Sequence, residues 1–478
     1  MQRLLRALPF RGIFVLCLCG LPSLRAQYLG NTASGSTWGG NPTGLNSQVA
    51  ASSGQPFGLG SAVYGQKGSL AGWQAFRNYR EGAMDRGTGR SDLAHLGPVI
   101  LSLGAYTTVN YDTNVNSSPD APLADIFVTF GVNLGLYWKA TRRNELQLSL
   151  GFNYTQYLRY TQYNDSGVNL APYTGLDYRI YFLDFVLTLY DYPSMTNGGN
   201  NDSPALTNSV NFRQLTNRGG LSLLWHPNQL LFLTGFERTD VLSLSNDQFN
   251  SQNYTSYSWY GTASYDVTPT TSAGIRLQAT ATQYTEQILN NSVTTQAGLF
   301  YQSRLTDYTN IYLEAGVQTG DFTNTGRQTN EIVYQQDNGF NTNVEGTLGG
   351  SNYVQPYFIF SINNRLTRYL TQTLILSRQA SGSTVSNYQE TNSAGYQLQY
   401  RLNRVTTVGF MATYQYGRIS RTTDPVPFTN FTGQLNFSFK VMKDTDLGLG
   451  WSYFQNNEST FGANYNRQLF TLSLGHTF

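Results

Sequence analysis

From residue 97 to its end the chain alternates apolar and polar positions at a period of two, in segments of about ten residues. In "DIFVTFGVNLGLYWK" one face carries Ile126, Val128, Phe130, Val132, Leu134, Leu136 and Trp138, and the other Thr129, Gly131, Asn133, Gly135 and Lys139. "ELQLSLGFNYTQ" puts Leu146, Leu148, Leu150, Phe152 and Tyr154 on one face. "SAGIRLQATAT" sets Ile275 and Leu277 against Arg276 and Gln278, and "GYQLQYRLN" sets Leu398 and Tyr400 against Gln399 and Arg401. Successive strand residues point to opposite faces, so this is the signature of strands with one apolar side.

The connections alternate in length. Short polar turns fall at 140–144, 226–228, 268–271, 305–309, 364–368, 402–404 and 442–445. Longer loops rich in Gly, Asn and Asp fall at 112–124, 161–174, 193–212, 242–253, 320–352, 382–392 and 419–430. This pattern predicts an all-β fold of about 18 strands; 176–192 divides least clearly and leaves 16 as the other count. A soluble sandwich also alternates, but its strands need no aromatic residues at their ends. Here the apolar faces begin or end on Trp138, Tyr154, Trp259, Tyr265, Tyr414, Tyr416, Trp451 and Tyr453. Aromatic girdles, short turns at one end and long loops at the other predict a closed, up-and-down antiparallel transmembrane β-barrel, with both termini periplasmic. In hydrocarbon every backbone N–H and C=O must find a partner within the protein, and a sheet joined to itself supplies them all.

Composition agrees with such a wall. Only 12% of residues are charged, 14% are aromatic, and 34 are Tyr. Residues 1–26 differ from the rest: Arg3, Arg6 and Arg11 precede an apolar run from Ile13 to Leu24, the layout of a cleaved secretory signal peptide. Both cysteines, Cys17 and Cys19, lie in it, so the exported chain is expected to use no disulfide. Removing 1–26 takes away four arginines and no acids, which moves the formal balance from +2 to −2 and gives no basis for nucleic-acid binding. Residues 27–96, Gly/Ser/Asn-rich and without apolar period, predict a flexible periplasmic or lumenal segment, with one short helix at "AGWQAFRNYREGAM".

The chain ends "RQLFTLSLGHTF", with Phe470, Leu472, Leu474 and Phe478 on one face. An apolar last strand with a terminal aromatic resembles the C-terminal signal read by the outer-membrane barrel-assembly machinery of Gram-negative bacteria. His476 stands where that signal usually has an aromatic residue.

"LSLGAYTTVNYDTNVNSSPDAPLADIFVTFGVNLGLYWKATRRNELQLSLGFNYTQYLRYTQ" is similar to the opening of the β-barrel porin 2 family. The carriers are a strand ending Tyr111-Asp112-x-Asn114-Val115, an acidic loop, a paired strand, the basic turn at Arg142 and Arg143, and a Tyr-rich strand. The resemblance covers about 98–162. It implies an outer-membrane barrel often associated with exopolysaccharide, and supplies no catalytic residues.

Candidate chemistry is sparse. His95, His226 and His476 lie on separate predicted elements, which argues against a histidine metal site. No Gly-x-Ser-x-Gly elbow and no phosphate-cradling loop occurs, so neither enzyme activity nor a cofactor is expected. Parity puts His476 on the lipid face. It puts Arg179, Arg276, Arg304, Arg401, Lys440 and Glu314 on the polar face as candidate pore-lining charges, with Asp177 and Asp266. Their slight basic excess predicts a weak preference for anions or acidic saccharides, unless the charges pair across strands. Tyr260 and Tyr312 also face the lumen, either to stack on sugar rings or to fill the wall. The loop 320–352 either folds inward or forms a surface hairpin.

These readings give a porin-like channel for hydrophilic solutes in the outer membrane. A narrower form is export of an extracellular polysaccharide. The alternative is a plugged structural or adhesive barrel. The expected partners are outer-membrane lipid, the barrel-assembly machinery and a polysaccharide, and no nucleic acid.

Overall fold

The computed structural model describes residues 94–478, leaving out stretches within the connections, the longest being 198–212, 245–252, 324–331 and 345–351. The predicted leader and the predicted helix at 71–84 lie outside the described residues.

Eighteen antiparallel strands form the barrel: β1 (Val99–Asp112), β2 (Asp125–Trp138), β3 (Asn144–Tyr157), β4 (Gly175–Phe182), β5 (Phe185–Asn197), β6 (Arg213–Trp225), β7 (Leu230–Ser243), β8 (Tyr254–Thr268), β9 (Thr271–Tyr284), β10 (Ser292–Thr306), β11 (Thr309–Phe322), β12 (Tyr353–Arg365), β13 (Leu370–Gly382), β14 (Tyr388–Arg401), β15 (Thr406–Ile419), β16 (Val426–Met442), β17 (Thr445–Glu458) and β18 (Tyr465–Thr477). Each pairs with its neighbours in sequence, and β18 closes on β1 from Gly104 opposite Thr477 to Asp112 opposite Leu469. The 16-strand count is thereby excluded. A 14-residue strand at about 3.3 Å per residue, tilted by roughly 40°, spans about 35 Å, enough to cross the apolar layer of a membrane.

Alternation sets the two faces. On β2, Ile126, Phe130, Val132, Leu134 and Trp138 are exposed, while Tyr137 on the opposite face is buried. The concave side is identified by contacts that skip a strand. Arg276 on β9 reaches Glu314 on β11 at 2.8 Å across β10, and only side chains inside the curve can do so. The exposed belt is therefore the outside, and it is apolar: Leu103, Val109, Leu299, Val317, Leu449 and Leu472 stand on it. Trp138, Trp259, Tyr265, Tyr414 and Tyr416, expected as girdle residues, are likewise exposed.

Short connections gather at one end and longer ones at the other. The turn not anticipated is Leu183–Asp184, between β4 and β5. Leu183 is fully out in solvent with φ +51°, in the left-handed region that usually goes to Gly or Asn. Asp184 is its one turn-favouring residue, with no Gly, Asn or Pro beside it, so 176–192 divides poorly in the sequence.

The short β4 leaves the far half of β3 without a neighbour. The connection between them covers it. Asn169–Leu170 pairs with Asn153 and Phe152, Gly151 N–H donates to Thr174 Oγ1 (3.1 Å), and Thr155 N–H donates to Asp165 Oδ2 (2.6 Å). A bare edge inside a membrane protein is thus filled by side chains and loop backbone. The connection after β11 carries its own hairpin, Ile332–Gln335 with Asn341–Val344, separate from the barrel sheet.

Candidate functional site: the inner wall and its closure

The inner wall is built from aromatic rings laid over glycines. Tyr106 on β1 stands directly opposite Gly131 on β2, Tyr260 opposite Gly235, Tyr353 opposite Gly320, and Tyr357 opposite Gly316. At each of these glycines a Cβ would run into the ring. The ring lies flat in the space that a side chain would occupy, which joins neighbouring strands and leaves room in the lumen. These four tyrosines and four glycines thus have a shared structural role. Tyr312, expected either to stack on sugars or to fill the wall, is buried in it: its hydroxyl donates to Glu314 and its ring stacks on Phe300 at 6.0 Å.

Charges in this wall are held in clusters. Glu314 is 0% exposed and accepts from Arg276 (2.8 Å), from Tyr357 Oη (2.8 Å) and from Tyr312. Arg179 meets Glu145 at 3.3 Å, and Glu145 also accepts from Tyr181 Oη (2.6 Å) and Tyr137 Oη (3.2 Å). A third cluster joins Arg218 to Glu237 at 2.9 Å, with Tyr190 Oη donating to the same carboxylate (3.1 Å). Arg276 and Glu314 were candidates that the structure brings together. Arg304, Arg401 and Lys440 are not part of these clusters. They stand at strand ends beside the short turns, their backbone N–H groups donating to Thr270, Tyr369 and Val405 carbonyls. Asp177 accepts from Tyr192 Oη (2.7 Å), and Asp266 lies 3.7 Å from His226 at the short-turn rim.

Glu145, Arg218 and Glu237 escaped the sequence reading. The signal was present in "NRGGLSLLW" and "GFERTD", where parity puts both charges opposite Leu221 and Phe236.

The seam between β1 and β18 is stitched from inside. Asp112, 0% exposed, accepts from Arg467 Nε (2.8 Å) and from the backbone N–H of Asn114 (3.0 Å). Asn114 Nδ2 donates to the Asn466 carbonyl (3.0 Å), and Thr471 Oγ1 to Asn110 (2.8 Å). The Tyr-Asp-x-Asn stretch is thus a clasp that binds the first strand to the last. Outside, Tyr111 stacks on Phe470 at 6.3 Å. The last residue belongs to the same seam, because Phe478 N–H donates to the Leu103 carbonyl (2.8 Å). Leu472, Leu474 and Phe478 are exposed on the belt; His476 lies there too, bonded to Thr445 Oγ1 (2.8 Å) and edge-on to Phe478.

Among the described residues no group of three His, Cys, Asp or Glu side chains is placed to hold a metal ion.

A closed sheet with an apolar outside and a hydrogen-bonded polar inside defines the class: a transmembrane β-barrel of 18 strands. No family model and no curated protein matches the chain. Among solved structures it is similar to Pseudomonas aeruginosa OccK5 (OpdH), at 12% identity and TM-score 0.45, covering 79% of this chain and 98% of that one. It is similar to Acinetobacter baumannii OccAB1 at 10% identity and TM-score 0.46, covering 79% and 97%. It is similar to Pseudomonas aeruginosa OpdK, solved with vanillate, at 10% identity and TM-score 0.43, covering 79% and 98%.

Proposed function

We propose that the chain is an outer-membrane channel that lets hydrophilic solutes pass down their gradients. The observation that carries this reading is the 18-strand closed barrel itself, whose polar inner wall folds its aromatic rings flat over glycines. Barrels of 16–18 strands are wide enough to hold an aqueous path. Delivery to that membrane would use removal of 1–26 and recognition of the last strand by the assembly machinery. Kinship with the β-barrel porin 2 family rests on the resemblance over 98–162, and export of a polysaccharide is the narrower form of the function.

Selectivity follows from the pairing. Arg179, Arg218, Arg276 and Arg467 each face a carboxylate at 3.3 Å or less, so their charges largely cancel within the wall. In planar bilayers under a KCl gradient the chain should give discrete current steps with a reversal potential close to zero. Folded protein that gives no steps at any voltage would favour the plugged structural barrel. A strongly anionic reversal potential would contradict the neutral wall.

A further inference from the structure

The β12–β13 ladder stops at Phe358 opposite Arg378, although β12 begins at Tyr353 and β13 continues to Gly382. Continuing the register would set Pro356 opposite Ala380, and proline has no N–H to give. Ala380 finds another partner. Its N–H donates to Gln318 Oε1 (3.1 Å) and its carbonyl accepts from Gln318 Nε2 (2.7 Å), a side chain from β11 that passes along the inner side of β12.

Register assigns Ala380, Tyr388 and Glu390 to the outer face, since Ala380 is opposite Glu390 and Gly382 opposite Tyr388. Elsewhere that face meets lipid; Val354 on β12 is 75% exposed. Here all three meet inner-face residues. Ala380 is 2% exposed behind Gln318, Glu390 accepts from Gln355, and the Tyr388 ring lies 4.5 Å from Tyr353. Outer-face residues can touch an inner wall only if their hairpin has stepped inside it. Beyond the barrel rim, Asn290 Nδ2 donates to Asn387 Oδ1 (2.7 Å), tying the start of β14 to the β9–β10 connection.

We propose that the paired strand ends Ala380–Gly382 and Tyr388–Glu390 of the β13–β14 hairpin form a gate, tucked into the lumen behind β11 and β12 and able to swing out into the wall. The tucked position is held by the hydrogen bonds of Gln318, Gln355 and Asn290 and by the Tyr388 ring against Tyr353 (4.5 Å) and Phe322 (6.2 Å). The outward position would rebuild the β12–β13 ladder except at Pro356, which forfeits one bond. Each position gives the strand end backbone partners, and an element with two discrete arrangements is the kind that switches. Tucked, the hairpin narrows the long-loop mouth; released, it widens it. The inference rests on the channel reading.

The test is a Gln355→Cys/Glu390→Cys pair in a chain with Cys17 and Cys19 replaced by alanine, closed with a short bis-methanethiosulfonate. Mass spectrometry of the folded barrel should show the cross-link. Single-channel records of the reduced protein should move between two levels, the cross-linked protein should stay at the lower, and reduction should restore both. Gln318→Ala, which removes two bonds, should increase the time at the higher level about tenfold. Absence of the cross-link in folded protein overturns the tucked placement. The same levels with and without the cross-link, or no change in Gln318→Ala, overturn the gate. A cross-linked barrel that gives no current in either state overturns the channel reading and the gate's role with it.

Discussion

Asp112→Ala should sharply reduce the amount of closed barrel and lower the temperature at which it opens. The carboxylate is wholly enclosed, and Arg467 and the Asn114 backbone point at it. Without it a guanidinium remains in the seam with no counter-charge. Removing one partner of a buried ion pair costs about 3–5 kcal/mol, whereas replacing both by apolar groups is often close to neutral. The cost falls on the β1–β18 pairing, which has to form for the sheet to have no edge. Electrophoresis without boiling, in which folded barrels run apart from unfolded chain, reads this directly. Asp112→Ala should lose most of the folded band, and Asp112→Leu/Arg467→Met should recover much of it. Equal folded fractions in wild type and Asp112→Ala would mean that the clasp does not hold the seam.

Arg276→Met should destabilise the barrel by a similar amount, for a different local reason. Glu314 would keep its two tyrosine donors and lose its only cation among the contacts seen, so it must take up a proton or draw in water. Glu314→Gln should also destabilise, since the amide can still accept from Tyr357 but leaves the buried Arg276 guanidinium without its counter-charge. Conductance of whatever Arg276→Met protein folds should change little, because the pair is within the wall. A large shift in ion selectivity without loss of stability would place Arg276 in the ion path instead.

Much of this fold is legible from parity alone. Alternation in 126–138 and 271–284 gives the strands, their faces and the apolar belt, because side-chain direction has a period of two in any strand. What alternation leaves open is the stagger between strands, since an even slip preserves every face. Partnership depends on that stagger. Arg276 is legible as inward, but its meeting with Glu314 across β10 is not, nor is Tyr357's place over Gly316. The same limit hides the gate: Pro356 marks a strand that cannot complete its ladder, yet only three dimensions show Gln318 in the vacated position. The turn at Leu183–Asp184 carries no Gly, Asn or Pro, and Asp184 alone, in a stretch that also holds Asp177 and Asp191, does not single it out. The clasp was visible as a stretch of residues, and its purpose emerges once β18 is seen beside β1.

The barrel requires β2 to have one face in hydrocarbon and the other in the lumen. The most direct measurement is nitroxide scanning of 126–135, one cysteine at a time in a chain with Cys17 and Cys19 replaced by alanine, reconstituted in lipid. Labels at 126, 128, 130, 132 and 134 should be relaxed by oxygen dissolved in the bilayer and shielded from a water-soluble nickel complex, and labels at 127, 129, 131, 133 and 135 should not follow them. Accessibilities that vary without a period of two, or even-numbered labels that respond to nickel, would contradict the barrel described here.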